Sequence, residues 1–194
     1  MVETNATSRR TRRKPKPLDR TRLRDFALSY VARFATSAGK LEAYLRRKLR
    51  ERGWEDEGEP EIDDLVADFV DKGYVDDRGF GKMKAGGLLA RGYGARRVDE
   101  TLRAAGLEEG LRSELAPGER EARMAALALA KRRRLGPFGS APEDEPVESR
   151  HKRREKQLAA MVRAGHTFAH AQTILSAPDE AALDEWLEEA DLWD

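Results

Sequence analysis

One helix-turn-helix pattern recurs three times in the sequence, and this recurrence limits the folds open to the chain more than any other feature. Three glycines align, and apolar residues then coincide six and ten positions further on. Apolar residues at helical spacing predict a buried helix face in each copy. Each copy buries little apolar surface alone, so neighbouring copies must pack on one another. The aligned positions are Gly39, Gly92 and Gly165, then Leu45, Val98 and Ala171, and finally Leu49, Leu102 and Leu175.

The pattern therefore predicts an all-α protein, built from three tandem three-helix repeats that form an elongated, curved body. We place the repeats at residues 21–75, 76–116 and 117–194, after a flexible basic arm at residues 1–20. The arm is rich in Ser, Thr, Arg, Lys and Pro, and it has too few apolar residues to form a core. A Pro- and Gly-rich loop at 136–146 interrupts the third repeat, whose C-terminal end is acidic. We expect no strand.

Capping residues set the helix boundaries in the middle repeat. Asp76 and Asp77 offer an N-cap for a helix that continues to about Arg91. Two adjacent glycines, Gly86 and Gly87, lie inside that helix, and each costs about 1 kcal/mol relative to alanine. This cost predicts either a bend in the helix or a close approach of another helix at this point.

The composition excludes several classes of protein. Charged residues make up 38% of the chain and aromatic residues 7%, so modest apolar stripes on small helices fit better than one thick core. The chain has no cysteine, which excludes disulfides, thiolate zinc sites and cysteine nucleophiles. No apolar run reaches the length of a signal peptide or a membrane span. We therefore expect a cytoplasmic protein with no membrane partner.

No motif in the sequence indicates an enzyme, a metal site or a cofactor. The chain lacks a phosphate-binding loop, a nucleophile elbow and a pair of carboxylates in an apolar setting. His166 and His170 have the spacing of zinc-protease ligands, but the glutamate of that motif is missing. Helix capping explains Asp76 and Asp77 better than metal binding does. We expect no catalytic activity, no metal and no cofactor.

Basic and acidic residues are segregated along the chain, although the net charge is only +1. Acidic residues dominate 55–71 and the last twenty positions, and blocks of both signs suggest a partner that also carries both signs. Clustered guanidinium groups suit phosphate or carboxylate binding. The two densest basic runs flank the loop at 136–146, so they could meet in space. The candidate binding residues are Arg46, Arg47 and Arg50, then Arg96 and Arg97, then Lys131, Arg132, Arg133 and Arg134, and then Lys152, Arg153 and Arg154.

The middle repeat carries a motif that resembles a known family. Residues 73–107 read GYVDDRGFGKMKAGGLLARGYGARRVDETLRAAGL, with a Gly-Tyr-x-Asp-Asp-x-x-Phe start, a Gly-Tyr-Gly turn and a Leu-x-x-x-Gly end. This motif is similar to the signature of the RecX family of recombinase regulators, and residues 28–49 and 157–175 are similar to its first and last repeats. The matching signature residues are Gly73, Tyr74, Asp76, Asp77 and Phe80, then Gly92, Tyr93 and Gly94, and then Leu102 and Gly106.

The resemblance implies a crescent of three tandem three-helix repeats and a role in homologous recombination, DNA repair and the SOS response. Family members bind the RecA filament on single-stranded DNA, typically in the filament groove, and depress its ATP hydrolysis and strand exchange. We therefore expect a monomer whose partners are RecA and single-stranded DNA, with duplex DNA as a further candidate. The chain departs from the family after Asp77, where KAGGLLAR replaces a stretch usually rich in Arg or Lys, leaving Lys82, Lys84 and Arg91.

Two other functions stay open from the residues. One is a plain helix-turn-helix protein that reads duplex DNA, which predicts an isolated recognition helix and a dimer. The other is a helical adaptor that binds only proteins, for which the basic clusters would be incidental. For a recombinase regulator, filament capping, groove occupancy and filament disassembly are all open as routes of inhibition.

Overall fold

The computed structural model describes residues 16–140 and 144–192, and this part of the chain consists of helices joined by short turns. The all-α prediction is confirmed. The only strand-like pairing among these residues is a single bridge between Leu18 and Trp54. Short 3₁₀ turns lie at Gly136–Phe138 and Glu189–Leu192. The α-helices are α1 (Arg20–Val31), α2 (Ala38–Arg52), α3 (Ile62–Asp71), α4 (Asp77–Leu89), α5 (Ala95–Ala104), α6 (Glu109–Glu114), α7 (Glu119–Arg133), α8 (Val147–Arg163), α9 (Phe168–Ser176) and α10 (Glu180–Glu188).

Buried apolar residues form separate clusters, and three helices contribute side chains to each of the first two clusters. In the first unit, α1, α2 and α3 pack around the fully buried side chains of Leu41, Leu45 and Phe69. In the second unit, α4 and α5 pack around Val98 and Leu102. The short helix α6 has no buried residue and adds only half-buried side chains to the edge of this cluster.

The third unit differs from the predicted pattern because it holds four α-helices. Its core joins α7, α8, α9 and α10 around the almost completely buried side chains of Leu129, Met161, Ile174 and Leu183. Most of the buried residues on α7 are alanines. Helix separation depends on the side chains at the contact, so these small residues let several helices approach α7 closely. One helix more than predicted therefore shares this core.

The helix starts correct the predicted alignment of the three copies. The N-cap residues are Ser37 for α2, Gly94 for α5 and Thr167 for α9. Gly39 therefore lies inside α2, whereas Gly92 and Gly165 precede their helices. Since α2 has 15 residues and α5 has 10, the predicted alignment matched their ends rather than their starts. The buried positions that correspond from the helix starts are Leu41, Val98 and Ala171, and then Leu45, Leu102 and Leu175.

The folded part begins earlier than predicted. Leu18 is fully buried, its N–H donates to the Gly53 carbonyl at 2.9 Å, and its own carbonyl accepts from the Glu55 N–H at 2.9 Å. Asp19 caps α1 by accepting from the Arg22 N–H. The predicted arm at residues 1–20 therefore wrongly includes Leu18, Asp19 and Arg20, which belong to the folded part. Residues 1–15 of the arm lie outside the described residues.

The predicted loop at 136–146 is only partly irregular. It contains the 3₁₀ turn Gly136–Phe138, and residues 141–143 lie outside the described part of the chain. Among the described residues, no helix is long and apolar enough to cross a membrane.

A first joint connects the first and second units through backbone contact. A Cβ atom added to Gly39 would lie 2.7 Å from the Cα of Gly106, so two backbone segments touch where α2 begins and α5 ends. The Ser37 hydroxyl donates to the Ala105 carbonyl at 2.5 Å. Asp77 accepts from the Ala38 N–H at 2.7 Å. The signature aspartate Asp77 therefore belongs to the joint, while Asp76 caps α4, as predicted, by accepting from Gly79.

A second joint connects the second and third units in the same manner. The Gly94 N–H donates to the Ala164 carbonyl at 3.0 Å, and a Cβ on Gly94 would lie 2.4 Å from the Gly165 carbonyl carbon. Gly92 has a positive φ of 75°, and a Cβ there would lie 2.8 Å from the Leu129 nitrogen. His166 contacts the Gly92 carbonyl at 3.0 Å through Nε2. The Gly-Tyr-Gly turn is thus where two units meet.

The two glycines inside α4 behave differently from those at the joints. Helix α4 runs through Gly86 and Gly87 without interruption. Apart from the adjacent residues and the backbone of α4 itself, no described atom lies within 4 Å of a Cβ added at either position. The predicted close approach of another helix at this point is therefore wrong, because the close contacts of this motif occur at the turn that follows.

Candidate nucleic-acid interface

The three arginines on the outer face of α2 have different surroundings. Arg46 binds Glu42 at 2.6 Å and Asp63 at 2.7 Å, and the hydrogen bond to Glu42 is the largest cause that raises its pKa. Arg47 lies farther from a carboxylate, at 3.9 Å from Glu51. Arg50 makes no hydrogen bond or ion pair with the described residues. The structure therefore uses Arg46 to hold α2 against α3 and leaves Arg47 and Arg50 available.

The acidic stretch at 55–71 is partly neutralised by bases of the same unit. The partners lie on α1, on α2 and at the C-cap of α3, and the pairs are Glu55 with Arg22, Glu61 with Arg20, Asp63 with Arg46, and Asp68 with both Arg24 and Lys72. Such exposed pairs add little stability each. Five acids of the stretch make no ion pair with the described residues, namely Asp56, Glu57, Glu59, Asp64 and Asp71. Asp56 accepts a hydrogen bond from the Arg20 N–H at 2.8 Å, and the other four remain available to a basic partner.

The two candidate arginines of the second unit lie at the second joint. Arg96 donates through Nη2 to the Val162 carbonyl of the third unit at 2.8 Å. Arg97 has a weaker partner, Glu100 at 3.4 Å, and its side chain is about half exposed. Arg96 therefore connects two units, and Arg97 is the more accessible of the pair.

The basic run at the end of α7 is only partly engaged. Lys131 lies over the Phe138 ring, with 5.3 Å between Nζ and the ring centroid. Arg132 donates to the Arg91 carbonyl. The side chains of Arg133 and Arg134 have no partner among the described residues. Cations in a last helical turn also complement the helix dipole, so this run is stable as an exposed basic patch.

The basic run on α8 is engaged throughout. Lys152 binds Glu148 at 2.6 Å. Arg153 donates to both carboxylate oxygens of Glu145, at 2.8 Å for the shortest contact, and this hydrogen bond is the main cause that lowers the pKa of Glu145. Arg154 donates to the Leu175 carbonyl at 2.8 Å and to Ser176. This run therefore fastens the preceding loop and α9 to α8.

Each of the two basic runs borders the 3₁₀ turn that lies between them. Lys131 covers Phe138 on one side of the turn. Arg153 and Arg154 line a cavity of about 280 Å³ together with Gly136. The two runs therefore border one turn, although only the α7 run keeps side chains without partners in the described structure.

The structure also shows a groove that sequence reasoning missed. It has a volume of about 650 Å³ and lies between α1 and α2. The rings of Tyr30 and Tyr44 stack at 4.2 Å between centroids, and Phe34 at the rim is 56% exposed. We call this feature the aromatic–arginine groove, and its aromatic and basic lining residues are Phe26, Tyr30, Phe34, Tyr44, Arg22, Arg33 and Arg47. Phe26, Tyr30 and Phe34 recur at helical spacing, which is also the spacing of a core stripe, so the sequence alone does not indicate the groove.

The two histidines with the spacing of metal ligands, His166 and His170, lie near the second joint. His166 is 6% exposed, and burial is the largest cause that lowers its pKa. His170 contacts Glu119 at 3.1 Å through Nε2. Among the described residues, no group of three His, Cys, Asp or Glu side chains is arranged to hold a metal ion. Both histidines therefore act as bonding groups between helices.

The remaining signature residues lie in the cores or at helix ends. Phe80 is 5% exposed in the core of the second unit. Tyr74 follows Gly73 at the end of α3, is 52% exposed, and packs edge-on against Phe69 at 5.4 Å. Tyr93 is half-buried and contacts the cores of both the second and the third unit. The signature thus describes how the units pack rather than a set of ligand-binding side chains.

Comparisons with known proteins identify similar proteins among curated sequences and among solved structures. The chain is 30% identical to the regulatory protein RecX of Myxococcus xanthus strain DK1622 over 176 residues, which cover 85% of this chain and 90% of the relative. The crystal structure of RecX from Lactobacillus salivarius matches with a TM-score of 0.58 and 13% identity, and covers 89% of this chain and 96% of that chain. The second likeness concerns the fold alone. No family model matches the chain.

Proposed function

Because the chain belongs to the RecX family of regulatory proteins, we propose that it binds the RecA filament on single-stranded DNA and inhibits ATP hydrolysis and strand exchange. It does so without a reaction of its own. Occupancy of the filament changes the balance of filament states, because the protein binds one state better than the other. Of the possible routes, groove occupancy suits a chain of units that presents binding groups on more than one helix.

One observation carries this proposal: among the candidate binding residues, the structure leaves some cations on α2 and at the end of α7 without a partner, while it engages those on α8 internally. Of the candidate residues, those without a side-chain partner among the described residues are Arg50 on α2 and Arg133 and Arg134 at the end of α7. Arg47 has only a distant partner. Unpaired cations on exposed faces bind phosphates with release of counterions, which supplies most of a sequence-independent affinity for DNA. These residues form the DNA side of the proposed interface.

The recombinase side of the interface uses the opposite charge. The unpaired acids of the stretch 55–71, among them Glu57 and Glu59, lie on the same unit as Arg47 and Arg50. Acids next to DNA-binding cations would repel a naked polyanion. They fit a partner that presents protein and nucleic acid together, as a recombinase filament does. We therefore propose that this stretch contacts basic recombinase surface.

The proposal also covers the protein's location, oligomeric state and ligands. It acts in the cytoplasm as a monomer, without a cofactor, on RecA and single-stranded DNA, and duplex DNA is a weaker ligand. The N-terminal arm at residues 1–17 adds affinity that does not depend on the DNA sequence. Its proposed contacts are the basic residues Arg9, Arg10, Arg12, Arg13, Lys14 and Lys16.

The geometry of α5 disfavours a helix-turn-helix protein that reads duplex DNA. In such proteins, the N-terminal residues of the recognition helix reach the base edges. In this chain, α5 is the second helix of the motif, and its N-terminal residues dock on the third unit through Gly94 and Arg96. The end that would read bases is therefore covered.

The test is the ATPase turnover of the recombinase from the same cell on single-stranded DNA, with increasing amounts of this protein. We expect inhibition at ratios up to about one protein per recombinase subunit. Gel shifts with single-stranded DNA, duplex DNA and recombinase separate the alternatives. Unchanged turnover together with tight duplex binding would favour a duplex-reading protein, and recombinase binding without any DNA binding would favour an adaptor.

A further inference from the structure

The aromatic–arginine groove differs from an ordinary core edge in the rings that it exposes. Tyr30 and Tyr44 stack with nearly parallel planes, 15° apart, and Phe34 lies 5.4 Å from Tyr30 between ring centroids. The three rings thus form a continuous aromatic wall that ends at the exposed Phe34. Aromatic faces of this kind stack with nucleobases, because every base presents a π-face. The volume of about 650 Å³ lies in the range of ligand-binding clefts.

Cations accompany this aromatic wall. The Arg47 guanidinium lies 5.6 Å from the Tyr44 ring centroid, and Arg33 at the rim has no partner among the described residues. Arg22 lines the same groove, although it also binds Glu55 at 2.5 Å. Alternating rings and guanidinium groups match a nucleotide chain, whose bases stack while its phosphates meet positive charge.

The lining also argues against an apolar peptide helix as the occupant. Grooves for amphipathic helices are lined by apolar pockets, yet this groove has no Leu, Ile, Val or Met in its lining. Its one carboxylate, Asp25, faces no ion-pair partner in the described structure. A carboxylate is compatible with a base, because it accepts a hydrogen bond from the amino group of a base such as cytosine.

From this combination of rings, unpaired cations and missing aliphatic side chains, we propose that the aromatic–arginine groove stacks unpaired bases of single-stranded DNA. The inference deepens the proposed function, on which it rests, since it names the place where the first unit binds the DNA strand of the filament. Stacking needs exposed base faces, so the groove selects single strands over duplex DNA. It does not select a base sequence.

The test measures DNA binding without recombinase, so that it does not depend on filament inhibition. The full chain binds a fluorescent oligothymidylate and an abasic oligonucleotide of equal length and charge, both followed by anisotropy. We expect the parent protein to prefer the oligothymidylate about tenfold. Phe34→Leu should reduce this preference several-fold, and Tyr44→Leu should reduce it at least as much. Tyr44→Phe should keep it, because the ring remains.

The matched control is Phe168→Leu. Phe168 is 59% exposed, close to the 56% of Phe34, but it lies on α9, outside the groove. The control should keep the full preference for the oligothymidylate. Phe34 is exposed at the rim, so its replacement leaves the fold intact, and circular dichroism verifies this. If Tyr44→Leu fails to fold, Phe34→Leu and Tyr44→Phe still decide the question.

Three results would overturn the inference. The first is equal affinity of the parent protein for the base-containing and the abasic oligonucleotide. The second is an equal loss of duplex binding in Phe34→Leu, since paired bases offer no free faces. The third is a groove variant that loses recombinase inhibition but keeps the base preference, which would assign the groove to a protein segment. A parent that prefers bases but does not inhibit recombinase would refute the proposed function and leave this inference standing.

Discussion

The two joints and the outer face of the first unit use their polar groups in opposite ways. At the joints, Ser37 and His166 each bond to a carbonyl of the neighbouring unit, and glycine backbones lie in contact. On the outer face, Arg33 and Arg50 have no partner among the described residues. Residues of the first kind hold the units in a fixed relation, and residues of the second kind are available to a ligand. Substitutions at the two places should therefore separate stability from binding.

The largest effect is expected at the second joint. Gly94→Ala places a Cβ atom 2.4 Å from the Gly165 carbonyl carbon, which is backbone and cannot turn away. The second and third units must then move apart, at a cost of about 1–3 kcal/mol or more in unfolding free energy. Urea denaturation measures this cost. A variant as stable as the parent would show that the two units do not touch at this position.

The next effect concerns binding. Arg47→Ala combined with Arg50→Ala should change unfolding free energy by less than about 0.5 kcal/mol, because both side chains are exposed. The salt dependence of single-stranded DNA binding should become flatter by about 0.7 per lost phosphate contact, and recombinase inhibition should weaken.

The control for this pair is Arg153→Ala combined with Arg154→Ala, which removes the same charge from the engaged run on α8. This control should lower stability, because the carbonyl of Leu175 and the carboxylate of Glu145 lose their partners. It should change the salt dependence much less. Equal salt slopes for the two double variants would contradict the division between free and engaged cations.

A smaller effect is a loss of stability in acid at the second joint. Burial lowers the pKa of His166 below its ordinary value of 6.5, so the unfolded chain takes up a proton at a higher pH than the folded chain. The stability due to the neutral ring is present above about pH 6.5 and is lost as the pH falls through the lowered pKa. Thermal unfolding between pH 7 and 5 measures this loss.

His166→Gln should remove part of that pH dependence, whereas His151→Gln should keep it. His151 is a suitable control because its side chain is 73% exposed. The neighbouring His170 also contributes charge near His166, so it is kept unchanged in both variants. Identical pH profiles for the parent and His166→Gln would exclude His166 as the responsible group.

The smallest effect is expected at Gly86, inside α4. Gly86→Ala adds a methyl group in open space on a continuous helix. It should raise unfolding free energy by about 0.5–1 kcal/mol, since alanine favours the helix. The sign is opposite to that expected for Gly94→Ala, eight positions later. A destabilised Gly86→Ala variant would indicate a close contact at α4 that the structure does not show.

The helices themselves were predictable because their signals are local. Asp76 caps α4 as expected. The alignment of the copies was harder to predict, because α2 is longer than α5 by about one turn. A shift of one turn keeps residues on the same helix face, so the apolar pattern fits both alignments. Only the observed N-cap at Ser37 reveals which end of α2 corresponds to α5.

The sequence could not predict which cations have internal partners, because those partners are distant in sequence. Arg96 bonds to Val162 and Arg154 to Leu175, across units or helices that only folding brings together. The aromatic–arginine groove was missed for a different reason. Its aromatic residues continue the helical spacing of the core residues on α1, so Tyr30 and Phe34 could not be distinguished from Leu23 by pattern alone.

The most direct test of the division between joints and outer faces is hydrogen–deuterium exchange of this protein, free and bound to a recombinase filament on single-stranded DNA. We predict new protection on binding along α1, along α2 after Gly39 and at the end of α7, near Arg133 and Arg134. The joint segments at 37–39 and 92–97 should be protected equally in both states, because their contacts already exist in the free protein. Protection confined to α8–α10, or changed mainly at the joints, would contradict the proposed binding face.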